Sequence, residues 1–82
     1  MAQTKAEILT NAKAMREQEV LEYQINVDNF TLAIAQLEAT GEQPEFLAHL
    51  RQMLSDTLRE QGKAQLMLDV INLQLNQMQP PA

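Results

Sequence analysis

Leu47, Leu50, Leu54, Thr57, Gln61, Ala64, Leu68, Ile71, Leu75 and Met78 follow one another at spacings that alternate between three and four residues without a break. An α-helix turns about 100° per residue, so positions spaced this way share one side of it. The run therefore predicts a long helix with one apolar seam. Its regularity is that of a heptad repeat rather than the drifting stripe of a globular helix. Thr57 and Gln61 place polar groups in the middle of the seam, a weakened layer unless their side chains find partners. Phe46, Met53 and Leu58 broaden the first half of the helix, while Leu66, Val70 and Leu73 add a separate apolar side to the second half.

A second stretch, VLEYQINVDNFTLAIAQL at residues 20–37, carries the same periodicity. Val20, Tyr23, Val27, Phe30, Ile34 and Leu37 make its main stripe. Leu21, Ile25 and Leu32 repeat on nearly the opposite side, with Ala35 and Ala39 continuing that line at little bulk. Bulky aliphatics opposite a core stripe are costly to leave in water, so Leu21, Ile25, Leu32, Leu66, Val70 and Leu73 are the candidate oligomer or partner interface. Upstream, Ile8, Leu9, Ala12 and Met15 begin the apolar side less continuously. Arg16 and Glu19 interrupt it and are expected as edge residues, paired or solvated along the seam; the sharper alternative is that they set register between helices.

The helix ends are signalled locally. Thr4 with Glu7 three residues later forms a capping-box pattern. Residues 39–45, ATGEQPE, give the one interior break. Gly41 suits the left-handed conformation that closes a helix, and Pro44 suits the first turn of the next. Glu42 and Glu45 sit near that new N-terminus, where negative charge is favoured. The expected organisation is a single helical domain over residues 1–82, with helix 1 at about 4–40, a turn at 41–43, helix 2 at about 44–78 and a flexible tail at 79–82. So short a connection makes the helices antiparallel neighbours.

Folding at the turn pairs positions whose numbers sum to about 84. Tyr23 then meets Gln61, Val27 meets Thr57, Phe30 meets Leu54, Ile34 meets Leu50, and Leu37 meets Leu47. With Val20, Leu68, Ile71 and Leu75, these apolar positions are the candidate intra-hairpin core. The phenol of Tyr23 is the expected partner for Gln61. Gly62, inside helix 2, reads as a tolerated surface glycine, with a close crossing or slight bend as the alternative.

A two-helix hairpin is too thin to enclose two apolar sides per helix. The fold class expected is therefore all-α: a long antiparallel hairpin, pairing into a four-helix bundle or coiled-coil-like assembly, with a homodimer favoured over a higher oligomer or an unidentified protein partner. An 82-residue chain buries a small share of its surface, and no cysteine is present to staple it. The lack of cysteine, of a signal-peptide core and of a long apolar span leads to the expectation of a cytoplasmic protein.

Chemistry-bearing motifs are sparse. His49, the single histidine, flanks the Leu47–Leu50 stripe, where a structural role outweighs catalysis. Glu17, Glu19 and Glu22 invite comparison with a di-metal bundle, but the Glu-x-x-His element of such sites is missing. There is neither a glycine-rich phosphate loop nor a nucleophile elbow. The expectation is a non-enzymatic protein without cofactor or metal. A formal charge of −5 disfavours phosphate backbones and anionic lipid. Lys5, Lys13, Arg16, Arg51, Arg59 and Lys63 are dispersed among more numerous acids. The reading is thus a small protein-binding, adaptor or assembly module acting as a helical oligomer. A nucleic-acid-binding helical dimer is the alternative, and membrane binding is not expected.

Overall fold

In the computed structural model, which describes residues 2–78, Thr4 starts the first helix as its N-cap. Its hydroxyl accepts from the Glu7 amide at 3.1 Å, and the Glu7 carboxylate accepts from the Thr4 amide at 3.4 Å. Two donors that the helix itself leaves unpaired are thereby satisfied. Helix α1 runs Lys5–Thr40 and helix α2 runs Pro44–Met78. The expected tail at 79–82 lies outside the described residues.

The turn is built from two left-handed residues. Gly41 adopts φ 68° and its amide donates to the Leu37 carbonyl at 3.0 Å, closing α1. Glycine meets no Cβ penalty there. Gln43 also has positive φ, at 53°, which the sequence did not announce. Its carbonyl accepts from the Leu47 amide at 3.0 Å and so begins the first turn of α2. A chain that must reverse between Gly41 and Pro44 has only Glu42 and Gln43 in which to re-aim the backbone, and the glutamine carries the positive φ.

The two helices pack along the seams. Ile34 is buried on α1, and Leu50, Ala64, Leu68 and Ile71 are buried on α2. Val20, Tyr23, Val27, Phe30 and Leu37 on α1, with Leu47, Leu54, Thr57, Gln61 and Leu75 on α2, are half-buried. Met78, at the end of the seam, is exposed. The polar interruptions are satisfied: the Thr57 hydroxyl donates to the Met53 carbonyl at 2.8 Å. The Gln61 amide donates to Gln24 Oε1 at 2.9 Å and to the Val20 carbonyl at 3.5 Å.

These bonds correct the expected Tyr23–Gln61 pair. Gln61 does meet the turn of α1 that contains Tyr23, but its partners are the acceptors either side of it. A short amide reaches groups near the facing backbone, whereas the phenol oxygen stands at the far end of a rigid ring. Arg16 Nη1 contacts both oxygens of Glu19 at 3.2 Å, so this charge pair closes within α1 and sets no register with α2. Across the helices, Arg51 approaches Glu38 at 3.7 Å, an exposed pair of small energetic value. A Cβ added at Gly62 would meet nothing within 4 Å, so the surface-glycine reading applies within the hairpin.

Glutamine also supports the helices from outside. Gln18, Gln24, Gln52 and Gln65 each donate to the acid four residues on, namely Glu22, Asp28, Asp56 and Asp69, at 2.9–3.2 Å. Pairs at this spacing stabilise an isolated helix by roughly 0.2–0.5 kcal/mol each.

The result is long and thin, with extents of 58 × 28 × 14 Å. Its shortest dimension is little more than the roughly 10–12 Å thickness of one helix with side chains. The radius of gyration is 18.4 Å, against about 12 Å for a compact domain of this length.

Candidate interaction surface

One hairpin contact uses one side of each helix, and helical geometry dictates where the other apolar side chains go. Ile25 lies two positions from both Tyr23 and Val27, and Leu32 two positions from both Phe30 and Ile34. Two steps of about 100° in either direction place each of them opposite the seam. Leu66, between Ala64 and Leu68, and Leu73, between Ile71 and Leu75, stand in the same relation to α2. Leu21 and Val70 flank these positions. All six are exposed.

The structure brings Leu21, Ile25 and Leu32 together along the back of α1, and Leu66, Val70 and Leu73 together along the back of α2. It does not bring the two triplets together. They line the opposite narrow edges of a ribbon 28 Å wide. Met15 and Ile8 extend the exposed apolar surface of α1, and Met67 that of α2. Phe46, Met53 and Leu58 are exposed nearer the turn. Of the polar residues between the edges, Asn26, Asp56, Glu60 and Lys63 lie toward one broad face and Gln24 and Gln65 toward the other; Met53 and Met67, each seven residues from Glu60, share the first, and Leu58, seven from Gln65, the second. Lys63 pairs with Glu60 at 3.0 Å on the first of these.

Charge divides the edges. Between Arg16 and Arg51 the sequence has neither lysine nor arginine, while Glu17, Glu19, Glu22, Asp28, Glu38, Glu42 and Glu45 all fall there. The α1 edge is therefore an apolar line shouldered by Glu17, Glu22 and Asp28. The α2 edge differs: Arg59 and Lys63 lead into Leu66 and Val70, and over residues 61–78 Lys63 and Asp69 are the only charged side chains. This asymmetry was readable in the order of the residues, but a tally of net charge conceals it.

Among the described residues no three His, Cys, Asp or Glu side chains come together as a metal-binding group. Glu17, Glu19 and Glu22 share one helix, with Glu19 held by Arg16. His49 is exposed on α2. Arg59 pairs with Asp56 at 3.0 Å, so the cations are interleaved with acids rather than aligned in a stripe. A groove of about 420 Å³ lined by Ala14, Met15, Gln18, Glu19 and Glu22 is an open hollow on α1 alone. No described helix is long and apolar enough to cross a membrane. Comparison with protein families, with curated proteins and with solved structures finds no match.

Proposed function

We propose that this chain is a non-enzymatic assembly module, a helical hairpin that completes its core by packing its spare apolar sides against protein, and that it works as an oligomer. The observation that carries the reading is an excess of surface. The chain exposes 6235 Å², whereas a compact monomer of 9.3 kDa exposes about 5,000 Å². An excess of roughly 1,200 Å² is of the size that specific protein contacts remove. It coincides here with aliphatic side chains at helical spacing, the pattern by which one helix recognises another. Acidic side chains beside the α1 stripe suit a basic partner surface and work against phosphate.

Coupling between folding and association supplies the test. Thermal unfolding followed by circular dichroism at concentrations differing 100-fold, after nuclease treatment, should show a Tm that rises with concentration. If each chain gains half of the roughly 2.7 kcal/mol that mass action supplies per pair, the rise is about 5–10 °C. A Tm independent of concentration contradicts the reading. Salt-sensitive binding of the purified protein to nucleic acid would favour the alternative function instead.

A further inference from the structure

We propose that copies of this chain associate edge to edge, the back of α1 in one copy seated on the back of α2 in the next, so that assembly is head-to-tail and has no built-in stop at two chains. The proposal rests on the assembly reading above and specifies its geometry.

Three observations carry it. The first is placement: the Leu21, Ile25, Leu32 edge and the Leu66, Val70, Leu73 edge point in opposite directions. A two-fold pair joined through either edge leaves the other exposed on both chains. A rigid hairpin cannot turn both edges toward one neighbour. Contact between unlike surfaces is heterologous, and it propagates into a ring or an open array.

The second is charge. Two α1 edges laid together would set Glu17, Glu22 and Asp28 against their own copies with no lysine or arginine within the stretch to separate them. Against the α2 edge, the same acids meet Arg59 and Lys63. Among the described residues those cations are held within α2 by exposed contacts at 3.0 Å to Asp56 and Glu60. Such pairs are weak enough to be exchanged. Asp69 is the one acid beside the receiving patch.

The third is area. If both edges are used, the excess of roughly 1,200 Å² divides into about 600 Å² per chain at each contact. The total of about 1,200 Å² per contact is at the lower end for specific interfaces. One edge alone would leave half of the excess in water.

Complementation between two blocked chains tests the arrangement. Leu32→Glu blocks the α1 edge and leaves the α2 edge intact; Leu73→Glu does the reverse. Both positions are more than half exposed, and glutamate is a good helix former, so the hairpin itself is spared. By sedimentation velocity or light scattering, the wild type should exceed two chain masses as concentration rises. Each variant alone should fall to the 9.3 kDa chain mass, and an equimolar mixture should form a 1:1 complex that grows no further. Helicity measured alongside separates loss of contact from loss of fold: a variant that unfolds alone should regain helix in the mixture. A wild type that stops at two chains, with no complex on mixing, overturns the edge-to-edge arrangement and leaves the assembly reading standing. A monomeric wild type overturns both.

Discussion

Leu50 and Leu32 allow one chemical change, leucine to alanine, to be compared on the two sides of the hairpin. Leu50 is 7% exposed and faces the seam, while Leu32 is 66% exposed on the α1 edge. Truncating a buried leucine loses its transfer free energy and leaves a cavity, together about 2.7–5.0 kcal/mol where measured in a full core. A ribbon one helix thick relaxes more readily, so Leu50→Ala should cost about 3 kcal/mol. Leu32 has about a third of its side chain covered, and a third of the roughly 1.5–3 kcal/mol for full burial is below 1 kcal/mol. Urea unfolding of both variants in dilute protein should give that order. At high concentration the cost of Leu32→Ala should grow, because its covering then includes another chain, while the cost of Leu50→Ala should not. Equal damage in dilute protein, or a Leu32→Ala effect blind to concentration, would refute this division into core and contact.

Phe30→Ala should also cost more than Leu32→Ala by the same assay, but Phe30 is half-buried, so the loss belongs near 3 kcal/mol, the low end for aromatic truncations. Gly62→Ala should stabilise by about 1 kcal/mol, raising Tm by roughly 4–8 °C, since the added methyl meets open space; a lower Tm would place Gly62 in a close contact between chains. Gln43→Gly should relieve positive φ and leave stability unchanged or raised by about 0.5–1 kcal/mol, whereas Gln43→Val should lower it, both read from Tm. Thr4→Ala removes the hydroxyl that accepts from the Glu7 amide and should cost about 0.5–1 kcal/mol, seen as faster amide exchange in the first turn of α1.

The hairpin was legible because its signals are local and redundant. Thr4 with Glu7, Gly41 and Pro44 mark the ends of helices, and the three–four spacing from Leu47 to Leu75 marks the side that packs. Register followed from the length of the turn, and Gln61 meets the expected level of α1. What the sequence obscured involves choices among near neighbours. Gln24 and the Val20 carbonyl lie one turn apart around Tyr23, and only side-chain reach decides which of them accepts from Gln61. Positive φ at Gln43 is imposed by its position between Gly41 and Pro44, on a residue type that does not advertise it. The separation of Leu21, Ile25 and Leu32 from Leu66, Val70 and Leu73 was latent in their two-residue offset from the seams. Grouping the six by hydrophobicity alone hid that they face opposite ways.

If the hairpin is a component, its spare apolar sides are covered by protein. Sedimentation equilibrium of the wild type from micromolar to millimolar concentration tests it most directly, because mass is read without reference to any assumed contact. The weight-average mass should rise above the 9.3 kDa of one chain as concentration increases. A single species at that mass across the whole range, still folded and unfolding cooperatively, would contradict it.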